Sequence, residues 1–390
     1  MKQKIAWLHP HFLYWTGGTK YILAVVQELS KKYEITIFTE GYSDEIKKDF
    51  DKLNIKVVKI SNFSTNKLIY WVFLPIILIS ELIILRKRLP KFYRIVSSMF
   101  PMNIVANILS RKNHVQFVFE PFAFFHDKKM IGGYPFIVRN LMQIARLLYC
   151  WLDTYFTKSS KVLMTVNNGV SKWIMKVYRR KSIPAYLIVD TKKFKKITSS
   201  RFDKLFTDKL LVLHSTDLTP LKRTPFVISG FKDVVKQVPN ALLLITTPFD
   251  VSNKSKQITD YAEKYGISKN VVVLGFVKNK DLASLYSRVD CAVYAGVGDG
   301  ASACSYFVLE VMSSQTPVVR TSDSVEEVEE NKSGYLFKPE DKEKMVSSIV
   351  KLLKDKKLSL KMGVAARNRI KNVYTNEVVA KSFKDAFEQI

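Results

Sequence analysis

The feature that most constrains the fold is a regular alternation of short, β-branched apolar runs with longer stretches of helical spacing, which recurs in both halves of the chain. In the first half, strands are predicted at 4–9, 34–39, 55–60, 93–97, 115–119 and 162–166. In the second half, strands are predicted at 210–214, 241–246, 271–274, 290–294 and 317–320. Helical spacing predicts helices at 21–31, 43–53, 103–110 and 131–155 in the first half, and at 226–237, 254–265, 281–289, 305–314 and 341–355 in the second. Because such alternation is typical of parallel sheets covered by helices on both faces, the sequence predicts an α/β protein with two doubly wound, Rossmann-like domains.

The division into domains follows from length and from one change in composition. A chain of 390 residues suits two domains of ordinary size. Basic residues, Pro184 and a serine pair cluster within 179–209, which predicts a linker. We expect a first domain, a linker, a second domain and a final helix that packs back on the first domain, at 1–185, 186–209, 210–370 and 371–390. Since ligands of such folds bind beyond the carboxyl ends of the strands, the two domains are expected to face a ligand-binding cleft.

The charge balance narrows the classes of partner. Lysine and arginine total 62 against 35 acidic residues, a net charge of +27. Such a field attracts anionic lipids, nucleic acids or phosphorylated ligands, although a solvated basic surface is equally compatible with it. No aromatic RNA-binding signature or helix-turn-helix pattern is evident, which argues against a nucleic-acid partner. Three widely spaced cysteines argue against a disulfide framework and favour a reducing, cytoplasmic compartment.

An apolar stretch at 68–85 raises the question of whether the chain contacts or spans a membrane. Pro75 and Glu81 interrupt it, and the basic cluster Arg86-Lys87-Arg88 follows it. An uninterrupted run of about a dozen residues is shorter than a membrane span usually needs. We therefore predict a buried or interfacial helix, which could rest on an anionic membrane surface, with a membrane span as the alternative. The protein is then expected to be peripheral on the inner face of the cell membrane.

The strongest candidate for chemistry is a strand, a glycine-rich loop and a helix within 271–339. The loop contains Gly296, Gly298 and Gly300, and the helix is predicted to begin near Ser305. Free N–H groups at a helix N-terminus suit a diphosphate, and Glu310 could accept hydrogen bonds from ribose hydroxyls. The alternative is that this is one more βα unit without a ligand.

This segment resembles glycosyltransferase family 4, the large group of retaining GT-B enzymes. The family motif is a glutamate, seven residues and a second glutamate, followed by a Thr-Pro-Val strand. Here Glu310 matches the second glutamate and 316–319 matches the strand, whereas Ser302 stands at the position of the first glutamate. In the family that first carboxylate contacts the donor sugar. Asp299, three residues earlier, is a candidate replacement.

Further segments extend the resemblance along most of the chain. In 214–223, Lys222 matches a family lysine that holds the donor diphosphate. Asp217 stands where the family has an arginine, and the adjacent Arg223 could compensate. Gly17-Gly18 resembles the paired glycines that follow the family's first strand, where positive φ angles would let backbone N–H groups face the ligand. Segments 117–122, 165–171 and 186–194 resemble three further family motifs.

The resemblance implies a retaining transfer of a sugar from a nucleotide diphosphate sugar, UDP- or GDP-linked, to an acceptor hydroxyl on a glycan, a lipid-linked glycan or a lipid. It implies no cofactor and no metal, and His9-x-His11 lacks a third ligand for one. The implied catalytic residues are Lys222, Glu310, Ser302 and Glu120. The implied donor-binding residues are Gly17, Gly18, Lys222, Arg223, Gly275, Val277, Asp299, Gly300, Ser305 and Glu310. On the acceptor side the candidate is His126. A degenerate, non-catalytic nucleotide- or glycan-binding protein of the same fold is the alternative.

Overall fold

The chain forms two compact units, each built around one parallel sheet. The computed structural model describes residues 2–61, 67–126, 136–199, 201–247, 252–297, 305–322 and 326–390. Unit 1 comprises Met1–Ile188 and Asn376–Ile390, and unit 2 comprises Val189–Thr375. The prediction of two doubly wound α/β halves is confirmed. Residues 189–209, predicted as a linker, cluster with unit 2.

The first unit contains a seven-stranded parallel sheet and two short strands that pair with each other. Its strands are β1 Lys4–Leu8, β2 His11–Phe12, β3 Glu34–Thr39, β4 Gly41–Tyr42, β5 Lys56–Lys59, β6 Arg94–Ser98, β7 His114–Val118, β8 Val162–Thr165 and β9 Ile183–Pro184. Its sheet order is β5-β3-β1-β6-β7-β8-β9, with β2 paired to β4. Every residue of β6 and β7 is buried, which is the signature of a sheet covered on both faces.

The helices in residues 1–188 of the first unit are α1 Gly17–Leu29, α2 Asp44–Lys52, α3 Lys67–Leu85, α4 Met102–Ser110, α5 Ala123–His126, α6 Phe136–Ser159 and α7 Asn168–Tyr178. Side chains cap the N-termini of three of them. Thr16, Ser43 and Asn167 accept hydrogen bonds from backbone N–H groups in the first turns of α1, α2 and α7. Because Thr16 caps α1, the helix starts four residues earlier than the predicted start at residue 21.

The apolar stretch at 68–85 forms most of α3. Its inner face includes Leu74 and Ile77, which are buried in the core of the first unit. The helix lies beside α6, where the Tyr149 hydroxyl donates a hydrogen bond to the Trp71 carbonyl oxygen over 2.9 Å. No helix among the described residues is both long enough and apolar enough to span a bilayer.

Residues near the C-terminus complete the core of the first unit. The helix α15 Asn376–Glu388 belongs to this unit. Its Phe383 ring is fully buried, 5.6 Å from the Trp7 ring and 5.8 Å from the Phe117 ring. The Arg94 guanidinium donates to the carbonyl oxygen of Phe387 over 2.9 and 2.7 Å. The first unit is therefore assembled from two segments that are distant in sequence.

The second unit contains a six-stranded parallel sheet in the order β12-β11-β10-β13-β14-β15. Its helices through α14 and its strands are α8 Arg201–Leu205, β10 Leu210–Ser215, α9 Thr224–Gln237, β11 Ala241–Thr247, α10 Ser252–Lys264, β12 Val271–Phe276, α11 Asn279–Arg288, β13 Cys291–Tyr294, α12 Tyr306–Ser313, β14 Val318–Thr321, β15 Gly334–Phe337, α13 Lys342–Lys354 and α14 Lys356–Val373. The helix α14 has no counterpart among the predicted elements. Gly363 in its middle lets the helix pack closely, because an added Cβ would lie 2.1 Å from the Gln315 carbonyl oxygen.

Candidate functional site

The central strands β10 and β13 of the second unit form the point where the order of the sheet reverses. They are neighbours in the sheet although three helices and two strands separate them in sequence. Their carboxyl ends lead into a 3₁₀ turn at Pro220–Lys222 and into the loop that begins at residue 295. The Val297 N–H donates to the Leu221 carbonyl oxygen over 3.0 Å, so the two loops are joined. This is the position at which doubly wound sheets bind ligands.

Lys222 is held at this position by an aromatic residue. Its Nζ lies 3.1 Å from the Tyr294 hydroxyl and 5.2 Å from the centre of that ring. The guanidinium of Arg320 also lies 5.2 Å from the same ring. Arg320 is fully buried and forms an ion pair with Glu327, which is also buried. Tyr294 therefore organises two cations, one buried and neutralised and one half-exposed.

A buried histidine fixes the end of β10. His214 Nδ1 donates to the Val293 carbonyl oxygen over 3.1 Å, and Nε2 lies 3.1 Å from the Thr224 hydroxyl. Burial lowers the pKa of His214 to about 4, although the hydrogen bond to Val293 opposes this effect. The side chain is therefore neutral at physiological pH, and it links β10 to β13 and to the start of α9 without adding charge.

Glu310 lies on α12, the helix that follows the glycine-rich loop. Its Oε2 accepts a hydrogen bond from the Tyr286 hydroxyl over 3.4 Å. Burial raises the pKa of Tyr286 well above its usual value, and the charge of Glu310 adds to the effect. Ser305 is the N-cap residue of α12, and its side chain makes no capping hydrogen bond. In general, the partial positive charge and the N–H donors at a helix N-terminus favour the binding of an anion.

Aromatic rings connect the Lys222 region to the Glu310 region. The Phe307 ring, also on α12, lies 6.5 Å from the Tyr294 ring and 6.0 Å from the Tyr286 ring. Sequence reasoning did not identify either tyrosine as a site residue. A usable signal was present for Tyr294, since it is the last residue of a buried strand directly before a glycine-rich loop. For Tyr286, which lies inside α11, no comparable signal existed.

Arg223 and Asp217 differ from their predicted arrangement. Arg223 donates to the Pro339 carbonyl oxygen and forms an ion pair with Glu340 at 3.1 Å, so its side chain is engaged away from Lys222. The Asp217 carboxylate accepts hydrogen bonds from the Thr219 N–H and hydroxyl over 3.0 and 2.6 Å. Burial raises the pKa of Asp217, but these hydrogen bonds and the charge of Lys222 outweigh burial. The pKa of Asp217 is therefore lower than its usual value. The proposal that Arg223 compensates for Asp217 finds no support in these contacts.

Other predicted donor-binding residues lie further along the sheet or outside the description. Gly275 has φ of +63° and forms a bulge in the edge strand β12, where a side chain would be strained. Val277 follows that strand, which β11 separates from β10. Asp299, Gly300 and Ser302 lie outside the residues that the structure describes.

In the first unit, the paired glycines do not form the predicted turn. Gly17 and Gly18 are the first two residues of α1, and neither has positive φ. An added Cβ at Gly18 would meet the Phe119 ring at 3.6 Å, an ordinary contact. The α1 N-terminus, rather than a left-handed backbone, is therefore what this segment offers to a ligand. Glu120 is half-buried just beyond β7.

His126 is part of a buried network. Its Nε2 lies 2.8 Å from the Asp153 carboxylate, and its side chain is 10% exposed. The Tyr178 hydroxyl donates to the same carboxylate over 2.7 Å. This arrangement corresponds to a structural histidine more closely than to the predicted acceptor-side group. Among the residues that the structure describes, no three His, Cys, Asp or Glu side chains are placed to hold a metal ion.

The family model that matches this chain falls within the second unit. Residues 196–369 match the family model for glycosyl transferases group 1. A curated relative, an uncharacterized glycosyltransferase of Methanocaldococcus jannaschii called MJ1059, is 27% identical over 121 residues. The aligned segment spans 31% of this chain and only 28% of that relative.

Solved structures resemble the whole chain. HepE from Anabaena in complex with UDP aligns with a TM-score of 0.78 at 13% identity, covering 100% of both chains. Sucrose-phosphate synthase from Thermosynechococcus elongatus aligns with a TM-score of 0.74 at 13% identity, covering 100% of this chain and 99% of that one. The chain has the GT-B fold. Identities this low establish the fold alone, and the activity is treated below.

Proposed function

We propose that this GT-B protein transfers a sugar from a UDP- or GDP-linked donor to an acceptor hydroxyl. The observation that carries the proposal is the arrangement at the carboxyl ends of β10 and β13, where Lys222 is held by Tyr294 and Glu310 lies on the adjoining α12. A cation beside a helix N-terminus suits a diphosphate, and a half-buried carboxylate suits ribose hydroxyls. The complexes of the similarly folded HepE with UDP and UDP-glucose support a nucleotide-sugar donor.

Lys222 would act when the bond between the sugar and the diphosphate breaks. Negative charge then grows on the departing nucleotide, and a fixed cation stabilises that charge more than it stabilises the bound donor. From the family resemblance, we further propose that the anomeric configuration is retained and that no metal is needed. Proton NMR of the fresh product gives the anomeric configuration, and a reaction in EDTA tests the metal requirement.

A thermal-shift screen tests donor binding. UDP, GDP and their sugars are added separately, and the correct nucleotide is expected to raise the melting temperature. Lys222→Ala should abolish the shift, whereas Lys332→Ala, a surface lysine that pairs with Glu329, should preserve it. A shift without turnover of any nucleotide sugar would favour the non-catalytic alternative. The absence of a shift with all nucleotides would contradict both.

We also propose that the acceptor is a lipid, a glycan or a lipid-linked glycan presented at an anionic membrane, where the protein is peripheral on the cytoplasmic face. The support comes from α3 and α6, which are joined by the hydrogen bond from Tyr149 to Trp71 and which both expose apolar side chains. On α3 the exposed side chains are Val72, Phe73, Ile76, Ile79 and Ile83. On α6 they are Phe136, Leu141, Ile144, Leu147, Leu148, Trp151 and Tyr155. We call these twelve residues the apolar face.

The apolar face has the spacing and charge that suit a lipid surface. On α6, residues 141, 144, 148, 151 and 155 recur at intervals of three and four, so they form one stripe. Trp151 is 62% exposed and Leu147 is 80% exposed. The cluster Arg86-Lys87-Arg88, exposed just after α3, adds the positive charge that anionic headgroups attract. Soluble proteins rarely leave an apolar area of this kind in water.

Vesicle flotation tests the membrane proposal. The protein should float with vesicles of phosphatidylcholine and phosphatidylglycerol at about 150 mM salt, and less with phosphatidylcholine alone. Leu147→Asp combined with Trp151→Asp should abolish flotation. Leu360→Asp combined with Val364→Asp, on exposed apolar positions of α14, is the matched control and should float normally. A wild-type protein that remains at the bottom of the gradient, or that buries this face in a dimer by light scattering, would contradict the proposal.

A further inference from the structure

Two buried glutamates meet beside the carboxyl end of β3 in the first unit. Glu40 follows β3 and is 3% exposed, and Glu81, on the apolar helix α3, is 0% exposed. The Tyr70 hydroxyl donates to Glu40 Oε1 over 2.7 Å. Glu81 interacts with Glu40, and no other hydrogen-bond partner for either Glu81 oxygen is found among the described residues.

The pair holds a proton at neutral pH. Burial, and then the charge of Glu40, raise the pKa of Glu81 to about 10. Burial raises the pKa of Glu40 to about 7, although hydrogen bonds from Tyr70 and Glu81 oppose this effect. Burying two carboxyl groups among apolar side chains costs stability, and an apolar residue at position 81 would pack in the same space. Such a cost points to a role other than holding the fold together.

The residue beside Glu40 is His11. Its Nδ1 lies 3.2 Å from Glu40 Oε2 in an ion-pair contact in which neither atom makes a hydrogen bond among the described residues, and the Tyr70 ring packs edge-on at 5.9 Å. The Nδ1 atom is buried, although the side chain as a whole is 37% exposed. Each of the other four histidines, all within the described residues, is largely buried.

The charge state of His11 follows from this geometry. Burial lowers the pKa of His11, so the ring is neutral at physiological pH. A neutral imidazole carries one proton, and a carboxylate beside Nδ1 favours the tautomer with that proton on Nδ1. Nε2 is then the ring nitrogen that can accept a hydrogen bond. Two aromatic side chains follow in the same loop, Tyr14 at 76% exposure and Trp15 at 37%.

We propose that His11 binds a hydroxyl group of the acceptor, with Nε2 accepting its hydrogen bond, and that Glu40, Glu81 and Tyr70 are positioning residues for the ring. Tyr14 and Trp15 supply apolar surface beside the hydroxyl, which suits a sugar or polyol. The inference rests on the proposed glycosyl transfer and names the part of the first unit that recognises the acceptor. The titratable groups recorded beside His11 are Glu40 and Tyr70, and His9 lies close enough to interact with its charge.

Steady-state kinetics with His11→Ala, His11→Gln and wild type test the assignment. Loss of one hydrogen bond of about 1.4 kcal/mol corresponds to a tenfold loss in kcat/KM for the acceptor. His11→Ala should show this loss, with the donor KM and the nucleotide-induced thermal shift unchanged. His11→Gln retains a hydrogen-bond acceptor and should recover part of it. Lys48→Ala, an exposed position on the neighbouring helix α2, is the control and should match wild type.

The positioning role has a separate spectroscopic test. In ¹⁵N-histidine NMR, His11 should show a protonated Nδ1 and an unprotonated Nε2 at pH 7. Glu40→Gln should weaken this tautomer preference and raise the acceptor KM. Equal acceptor kinetics for wild type and His11→Ala, or a proton found on Nε2, would overturn the assignment. Failure of the proposed function is distinguishable, because wild type itself would then neither bind nucleotides nor transfer sugar.

Discussion

The two units differ in how their buried ionisable side chains are paired. In the second unit, the buried Arg320 is neutralised by Glu327, and the nearby Lys222 remains half-exposed beside Tyr294. In the first unit, the buried Glu40 and Glu81 form no ion pair with a lysine or arginine among the described residues, and Glu40 lies beside Tyr70 and His11 instead. In the second unit, the neutral Arg320–Glu327 pair leaves Lys222 as the exposed cation, which suits a charged ligand. In the first unit, the buried Glu40 and Glu81 lie beside the neutral His11 ring, which suits an uncharged hydroxyl.

The largest expected effect comes from the exposed cation of the second unit. Lys222→Ala should lower kcat by about 100-fold, the loss typical of removing one preorganised group that stabilises transition-state charge. Lys222→Met keeps the apolar stem over the Tyr294 ring and should be equally impaired, which separates charge from packing. Steady-state kinetics with the donor identified by thermal shift measure this. Activity within threefold of wild type in both variants would remove Lys222 from the diphosphate site.

A smaller effect is expected for the carboxylate of the same unit. Glu310→Ala should reduce donor kcat/KM by about tenfold, because one or two hydrogen bonds to ribose hydroxyls are lost. The sharper measurement compares ribose and deoxyribose donors. Wild type should prefer the ribose form, and the variant should lose that preference. A preference that survives in the variant would show that Glu310 does not contact the ribose.

In the first unit, the expected change is in stability rather than in donor binding. Glu81 has its pKa raised from 4.5 to about 10 in the folded protein. Stability should therefore decline as pH rises through that interval, because the unfolded chain releases a proton that the folded chain keeps. Glu81→Gln removes this dependence. The variant should gain melting temperature relative to wild type at pH 8 and much less at pH 5.

Calorimetry across this pH range compares the two proteins directly. His114 is also buried, but it is identical in both proteins and its contribution cancels. A constant difference between wild type and Glu81→Gln at every pH would mean that Glu81 titrates at its ordinary pKa.

The smallest effect is expected for Arg223, the residue adjacent to Lys222. Its side chain binds Pro339 and Glu340, so Arg223→Ala should leave donor kcat/KM within about twofold of wild type while lowering stability slightly. The comparison with Lys222→Ala is direct, since both variants remove one positive charge from the same turn. A loss as large as that of Lys222→Ala would show that Arg223 turns toward the ligand when it binds.

The parts of the fold that sequence predicts are those governed by local pattern. The strands were predictable because runs such as 210–213 and 241–245 are continuously apolar, which is typical of buried parallel strands. The helix α14 was missed because its hydrophobic pattern is weak and Gly363 lies within it, and only its packing against Gln315 explains that glycine. The start of α1 was missed because the cap at Thr16 was not recognised ahead of two glycines.

The candidate site was predictable only where a motif carried it. Lys222 and Glu310 could be proposed because they match a family pattern at fixed spacing. The direction of a side chain cannot be read from such a pattern, so the assignments of Arg223 to the donor and of His126 to the acceptor stay predictions. The association of His11 with Glu40 and Glu81 depends on residues from three separate elements. No local signal connects them, since their pairing arises only when α3 packs beside β3.

The dependence of the first unit on α15 bears on how the protein is made. The rings of Trp7 and Phe117 pack against Phe383, which is synthesised more than 260 residues after Phe117. During translation, the core of the N-terminal sheet stays incomplete until α15 is synthesised. The whole of the second unit emerges from the ribosome before that and can fold first. The order of domain maturation is then the reverse of the order of translation. A nascent chain stalled before residue 376 would present those aromatic rings to chaperones.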